Sequence, residues 1–253
     1  MRIITRSVLL AALASALIAA DAPYAGKWKM NTSKSNFGDS IMTYETMPGG
    51  EIKATMDGMS YTFKADGKDY TTPWGFTSAW KTVDANTWQA ANKVNGKTIE
   101  DGTVKLSADG KTLTVATKTQ QANGGTSDNT TVFQRVSGGP GLAGKWKTKN
   151  MKSSVPGVME LISKPDGVTF KFVNDGATCD AKFDGKDYPA TGAMFPSGWT
   201  CVMAKSGDGL DITWKKDGKA TYMSNYTVSG KTLTELTAAT GSSDKVKIIW
   251  EKQ

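Results

Sequence analysis

Few side chains in this sequence are suited to acid–base, nucleophilic or metal chemistry. Histidine is absent from all 253 residues, which excludes a Ser-His-Asp triad and an HExxH metal site. A phosphate-binding loop of the GxxxxGK[ST] type is also missing. With two cysteines and no histidine, a zinc site would need carboxylates alone, which suit zinc poorly. We therefore predict that the protein is not an enzyme and has no cofactor, no metal and no catalytic residue.

Two pairs of carboxylates occur in a repeated segment, Asp-Gly-Lys-Asp-Tyr. They are Asp66 with Asp69 and Asp184 with Asp187. Such a pair could bind calcium or a sugar, but an EF-hand loop needs more alternating oxygen ligands than this segment has. We favour the alternative, in which the first Asp sets a hairpin turn and the second lies beside Lys68 or Lys186 on the surface.

The two cysteines, Cys179 and Cys201, are 22 residues apart. This spacing excludes a CxxC redox motif. Each cysteine lies in a stretch typical of a β-strand, and together they flank a turn-rich segment. In an oxidising compartment the natural prediction is a disulfide between them, and the alternative is two free buried thiols.

Aromatic side chains are the best candidates for a binding role. Most should belong to the core, because aromatic residues dominate small β cores. Some, however, lie in or near the long Pro- and Gly-bearing segments at 72–76 and 192–199. A long loop can form the mouth of a barrel, although local packing over the barrel end is the alternative. The candidate ligand-binding residues are Tyr70, Trp74, Phe76, Trp80, Tyr188, Phe195 and Trp199.

The first 20 residues have the layout of a secretory signal peptide. Arg2 and Arg6 precede an apolar run from Val8 to Ala20, and small residues follow. The run is shorter than the roughly 20 residues needed to cross a bilayer, and no later segment is long enough. We predict cleavage after Ala20, export to the periplasm or the medium, and a mature protein without a transmembrane segment.

The charge pattern argues against a nucleic-acid partner. The formal net charge is +7, but lysines alternate with aspartates along the chain instead of forming a basic block. Such a pattern is typical of a solvated surface, and export makes a nucleic-acid partner less plausible still. The charge pattern leaves open whether the protein has a protein partner.

The chain is an internal duplication. Gly26-Lys27-Trp28 returns as Gly144-Lys145-Trp146, and Asp66–Tyr70 returns as Asp184–Tyr188 at the same offset. A linker rich in glycine and proline separates the two copies. The predicted units are a signal peptide at 1–20, a first domain at 23–137, a linker at 138–141 and a second domain at 142–253.

Turn signals predict an all-β fold. Asp-Gly and Asn-Gly dipeptides recur along both copies and suit tight hairpins, because a type I′ turn needs two residues with positive φ. Alternating stretches such as Val168–Phe172 lie between them. This pattern indicates about eight or nine strands per copy, and closure removes the free edges of such a meander. We predict two tandem up-and-down antiparallel β-barrels.

Gly26-Lys27-Trp28 resembles the Gly-x-Trp signature of lipocalins. In that family an Arg on the closing strand packs over the Trp. Arg135 has the matching place in the first copy, and Lys252 replaces the Arg in the second. The segments at 26–37, 109–114 and 184–192 resemble lipocalin-like domains of exported bacterial proteins. The resemblance implies fold, export and structural roles for Trp28, Arg135, Trp146 and Lys252.

A binding role follows as the first expectation. A barrel with many aromatic residues and no catalytic constellation is suited to holding a small apolar or amphipathic ligand in one or both copies. The alternative is a structural or interaction protein of the cell envelope, with filled barrels that bind another macromolecule. The presence of a cavity in either barrel distinguishes the two hypotheses.

Overall fold

A computed structural model describes residues 22–38 and 40–253. Within these residues the chain forms strands and turns, with a single 3-10 turn at Pro48–Gly50. The described part of the chain contains no helix long and apolar enough to cross a membrane. The predicted signal peptide, with Arg2, Arg6 and the cleavage site after Ala20, lies outside the described residues.

The first sequence copy contributes ten strands, and most of them are joined by hairpins. The dipeptides Asp57-Gly58 and Asn95-Gly96 have positive φ at both residues, with Asp57 at 52° and Asn95 at 50°, as a type I′ turn requires. The strands are β1 (Gly26–Met30), β2 (Ile41–Thr46), β3 (Ile52–Met56), β4 (Met59–Phe63), β5 (Asp66–Thr71), β6 (Thr77–Asp84), β7 (Thr87–Val94), β8 (Lys97–Leu106), β9 (Thr112–Gln120) and β10 (Thr126–Ser137).

The second copy repeats the same ten-strand series. Its Asp217-Gly218 turn has the same positive φ values, 50° and 77°. The strands are β11 (Gly144–Ser153), β12 (Val158–Lys164), β13 (Gly167–Phe172), β14 (Ala177–Lys182), β15 (Tyr188–Thr191), β16 (Trp199–Ser206), β17 (Gly209–Lys216), β18 (Lys219–Ser229), β19 (Thr232–Ala239) and β20 (Val246–Lys252).

The strands form two antiparallel ten-stranded sheets, which confirms the all-β, barrel-type prediction. We call the sheet β4-β3-β2-β11-β10-β9-β8-β7-β6-β5 the first barrel; it is nearly closed, because β4 and β5 are its two edges. The second barrel is closed and contains β1 and β12 to β20. The count of eight or nine strands was too low, because several connections in each copy, such as that at 72–76, carry no Asp-Gly or Asn-Gly signal.

The two copies exchange their first strands. β1 lies between β12 and β20 of the second barrel, while β11 lies between β10 and β2 of the first. The sheets therefore do not follow the predicted units 23–137 and 142–253 strand by strand. The short linker at 138–141 explains the exchange, because it turns β10 directly back into β11 as a hairpin, and neighbouring strands tend to pair. β1 then fills the corresponding place in the second barrel.

The exchange also redirects the two cation–tryptophan contacts. Arg135 lies over Trp146 with its guanidinium carbon 4.1 Å from the ring centre, and Lys252 lies over Trp28 at 5.3 Å. Each cation thus covers the tryptophan of the other copy, whereas the lipocalin resemblance implied a contact within each copy. Both indoles are completely buried. The contacts therefore join the two copies, at a gain of about 0.5–2 kcal/mol each.

Candidate functional site

The interior of the first barrel contains an apolar cavity of about 260 Å³. We call it the first cavity. Its walls come from eight of the ten strands and from the loop at 72–76. Its described lining consists of Met42, Tyr44, Ala54, Met56, Tyr61, Trp74, Phe76, Ser78, Trp80, Ala90, Asn92, Glu100, Val104, Val115, Thr117, Thr131 and Phe133.

Small side chains on β7 account for part of this space. Equivalent positions of the two barrels can be found from the repeat. Leu113 of β9 and Leu233 of β19 have the same place in the repeated Gly-Lys-Thr-Leu-Thr segment. Their cross-strand partners then align β8 with β18 and β7 with β17. The matched positions that differ most in size on these strands are Ala90 with Ile212 and Asn92 with Trp214. The first barrel therefore has less side-chain volume along this wall.

The first cavity has a polar end built around Glu100. The Asn92 side-chain amide donates to Glu100 Oε1 over 3.2 Å, and the Thr119 hydroxyl donates to Oε2 over 3.0 Å. The Asn129 amide in turn donates to Thr119 Oγ1 over 2.8 Å. Glu100 is half-buried, and it is the only charged side chain in the described lining of this cavity.

A second apolar cavity, of about 310 Å³, lies at the mouth of the second barrel. The second copy supplies most of its wall, including Phe195 and Trp199 from the long loop and its end. The first copy adds Met56, Trp74 and Phe76. Since those three side chains also line the first cavity, the two cavities share one aromatic wall between the barrels.

Trp74 is held in this shared wall by aromatic and hydrogen-bond contacts. Its ring stacks on Phe76 at 5.8 Å between ring centres and meets Tyr61 edge-on at 6.0 Å. The Trp199 indole donates to the Trp74 carbonyl oxygen over 3.0 Å. Five of the predicted ligand-binding residues thus line a cavity: Trp80 lines the first cavity, Phe195 and Trp199 line the second, and Trp74 and Phe76 line both.

The other two candidates, Tyr70 and Tyr188, line neither cavity. Their hydroxyls donate to Asp66 and Asp184, over 3.2 Å and 3.0 Å. The backbone N–H groups of Lys68 and Lys186 donate to these carboxylates and hold their pKa below the usual range. Tyr70 and Tyr188 therefore brace the repeated Asp-Gly-Lys-Asp-Tyr segment itself, which begins β5 in the first copy and leads into β15 in the second.

The second carboxylate of each pair has a lysine partner. Asp69 lies 2.7 Å from Lys93 Nζ, and Asp187 lies 2.7 Å from Lys215 Nζ. The predicted neighbours, Lys68 and Lys186, instead lie nearest the first aspartate of each pair, 3.7 Å from Asp66 and 3.5 Å from Asp184. In the first copy the predicted hairpin turn is also missing, because Asp66 begins β5 and this strand does not pair with β4. Residues 22–38 and 40–253 contain no cluster of three or more side chains that could hold a metal ion.

The interior of the second barrel contains a buried carboxylate, Glu235, which lines the second cavity. The Tyr226 hydroxyl donates to Oε1 over 3.0 Å, and the Trp250 indole donates to Oε2 over 2.9 Å. Burial raises the pKa of Glu235 above its usual range, although these hydrogen bonds lower it in part. Each carboxylate oxygen of Glu235 therefore accepts one hydrogen bond from the protein itself.

A third, polar cleft of about 390 Å³ lies where the copies meet. The Tyr222 hydroxyl donates to Asp57 Oδ2 over 3.0 Å across this cleft. Burial raises the pKa of Asp57, and the bond from Tyr222 lowers it in part. This hydrogen bond links the turn at Asp57 in the first copy to β18 in the second, so we assign this cleft to the interface between the copies.

The predicted disulfide between Cys179 and Cys201 is confirmed. It joins β14 to β16, which flank the short β15 and pair with it instead of with each other. The equivalent positions in the first barrel are Ser78 for Cys201, from the strand pairing, and Tyr61 for Cys179, from the sequence repeat. The first barrel has no cross-link there, and its adjacent strands β4 and β5 remain unpaired.

Sequence reasoning missed Glu100, Asn92 and Glu235. Glu100 lies on the inward face of β8, next to the exposed Asp101. The alternation of inward and outward residues along this strand could have indicated that Glu100 faces the interior. No family model and no curated protein matches this chain. The lipocalin resemblance therefore stays a prediction, and the candidate site stands on its geometry alone.

Proposed function

We propose that this protein is a non-catalytic binding protein that holds a small apolar or amphipathic molecule inside the first barrel. The observation that supports this most is the first cavity, a largely apolar space with aromatic walls and one polar end. Ligand sites in proteins typically have this composition, with a few polar groups that orient the ligand. Export through a signal peptide is part of the proposal, because the apolar run at the N-terminus supports it.

Access to the cavity is best explained by the gap between β4 and β5. These strands follow one another in the chain but do not pair. Tyr61 of β4 lines the cavity and is partly exposed. A sheet edge that is not held by hydrogen bonds can open at low cost, so we place the ligand entrance here.

The alternative is an interaction protein of the envelope with filled barrels. The tighter core of the second barrel favours this role for that part of the molecule. Nine of the twelve large side chains with less than 2% exposure belong to the second barrel. Such a barrel is well suited to present a rigid surface, even though the second cavity lies at its mouth, whereas the cavity inside the first barrel favours ligand binding.

Titration with N-phenyl-1-naphthylamine, an uncharged apolar fluorophore, tests the proposal. The variant Ala90→Ile carries at β7 the side chain that β17 has at the matched position, and Asn92→Trp can be added to fill the cavity further. We expect the fluorophore to bind the wild-type protein and to bind the double variant at least about tenfold more weakly, because its space is taken.

The matched control is Ala91→Ile. Ala91 is the next residue along β7 and lies on its opposite face, outside the first cavity. This control should bind the fluorophore like the wild-type protein. The proposal fails if the wild type does not bind, or if the filled variant binds as tightly as the control.

A further inference from the structure

The charge inside the first cavity points to the chemical class of its ligand. Glu100 is the only charged side chain in the described lining. Its two hydrogen-bond donors, Asn92 and Thr119, are both neutral. Among the described residues no lysine or arginine forms an ion pair with it; Lys93, seven residues before it, is paired with Asp69. The protein therefore does not neutralise this carboxylate itself.

The buried carboxylate of the second barrel differs from Glu100 in burial and not in hydrogen bonding, because each oxygen of both carboxylates accepts a bond from a neutral side chain. Glu235 is 5% exposed, and each of its oxygens accepts a hydrogen bond from a buried Tyr226 or Trp250 side chain. Glu100 is only half-buried and lies at the cavity wall. Glu235 is thus almost completely buried, although it borders the second cavity, whereas Glu100 keeps an exposed part that a ligand can contact.

The aromatic lining strengthens the same preference. Tyr61, Trp74 and Trp80 face the cavity together with Phe76. Aromatic ring faces attract cations, and they do so most where water is excluded. A ligand carboxylate in this cavity would lie near the negative charge of Glu100 with no cation to compensate it. Repulsion between the two like charges would disfavour its binding.

We infer that the first cavity takes an amphipathic amine, an organic cation with an apolar body. Its ammonium group would lie beside Glu100 and its body among the aromatic side chains. The inference rests on the proposed function and adds to it a charge selection. It distinguishes this cavity from a fatty-acid site, where a cation or neutral hydrogen-bond donors would have to face the ligand carboxylate without a competing acid. The formal net charge of +7 on the chain offers no such preference for a cation, so selection depends on Glu100.

Competition among three unbranched ligands of ten carbons each tests the inference. Decylamine, decanol and decanoate are each titrated against N-phenyl-1-naphthylamine bound to the wild-type protein, below their solubility limits and micellar concentrations. We expect decylamine to bind at least about tenfold more tightly than decanol, and decanoate to bind most weakly. The variant Glu100→Gln should bind the amine and the alcohol equally and bind decanoate better than the wild type does.

The matched control is Asp101→Asn, which removes the same charge from the neighbouring, exposed residue of β8. It should keep the wild-type order of affinities. Circular dichroism confirms that both variants fold. Equal binding of amine and alcohol by the wild type, or an amine preference that survives in Glu100→Gln, overturns this inference while leaving the proposed function standing. A failure of all three ligands to displace the fluorophore overturns the proposed function as well.

Discussion

The two barrels have the same strand order but differ in closure and in core packing. In the second barrel β14 pairs with β15, and a disulfide links the strands on either side of β15. In the first barrel the corresponding strands β4 and β5 form two free edges. The matched pair Ala90 and Ile212 shows the packing difference, because Ile212 is 1% exposed whereas Ala90 is half-buried beside a cavity.

This difference shows how a duplication can divide stability from binding. A well-packed, cross-linked barrel contributes burial and restricts the unfolded chain. A looser barrel gives up some of that burial and gains space for a ligand. The exchange of β1 and β11 joins the two properties, since neither barrel is complete without a strand of the other copy.

Splitting the chain at the linker should have the largest effect on this pair of barrels. A fragment of residues 22–138 lacks β11, and a fragment of residues 142–253 lacks β1, so each would leave the neighbours of that strand without a partner. We expect neither fragment to give a cooperative unfolding transition alone. Mixing them during refolding should restore the β-sheet circular dichroism and the transition of the intact chain.

A fragment that unfolds cooperatively by itself would contradict the strand exchange. It would indicate instead that β1 pairs within the first copy and β11 within the second. An intact chain with Gly139→Ser serves as the control for a change at the linker, because a Cβ at this position meets open space.

Removing the disulfide should have the next largest effect. We expect Cys179→Ala with Cys201→Ala to lower the free energy of unfolding by about 2–4 kcal/mol, because the unfolded chain regains conformational freedom. Hydrogen exchange should then speed up at the amides that pair β14 with β15, which would make the second barrel resemble the first at β4 and β5. Unchanged exchange there would show that closure does not depend on the cross-link.

The smallest of these effects concerns the buried carboxylate of the second barrel. Because burial raises the pKa of Glu235 in the folded state, the folded protein keeps this proton to a higher pH than the unfolded chain does. The stabilisation that comes from this protonated Glu235 is complete below the ordinary glutamate pKa. It is lost as the pH rises through the raised pKa of Glu235 in the folded state. We expect Glu235→Gln to remove this decline in the free energy of unfolding.

Urea unfolding of both proteins across that pH range measures the difference. The variant Glu100→Gln in the first barrel is the control, and it should keep the decline seen in the wild type. Parallel curves for the wild type and Glu235→Gln would show that Glu235 does not titrate in this window.

Local signals made much of the fold predictable. Asp-Gly and Asn-Gly turns, alternating strands and the repeated Gly-Lys-Trp segment together indicated two antiparallel barrels, and the position of Cys179 and Cys201 indicated their bond. The turns and strands depend on residues close in sequence. The disulfide was predictable because two cysteines in an oxidising compartment have only each other as partners.

The strand exchange and the cavity were not predictable in the same way. Both copies start with the same Gly-Lys-Trp strand, so the pattern of β1 fits either barrel, and the short linker decides the pairing. The cavity depends on which side chains meet across several strands, as with Ala90 and Asn92. Predicting Trp74 as a ligand residue required only its place in a long loop, whereas Glu100 resembled any other charge in a strand.

The central claim is that the first barrel holds a small molecule, and native mass spectrometry tests it most directly. The protein is purified gently from its natural source, both as wild type and as the Ala90→Ile, Asn92→Trp variant. We predict one bound small molecule on the wild-type chain, released on denaturation and missing from the variant. A wild-type mass equal to that of the bare chain, or a bound molecule retained by the variant, would contradict the account.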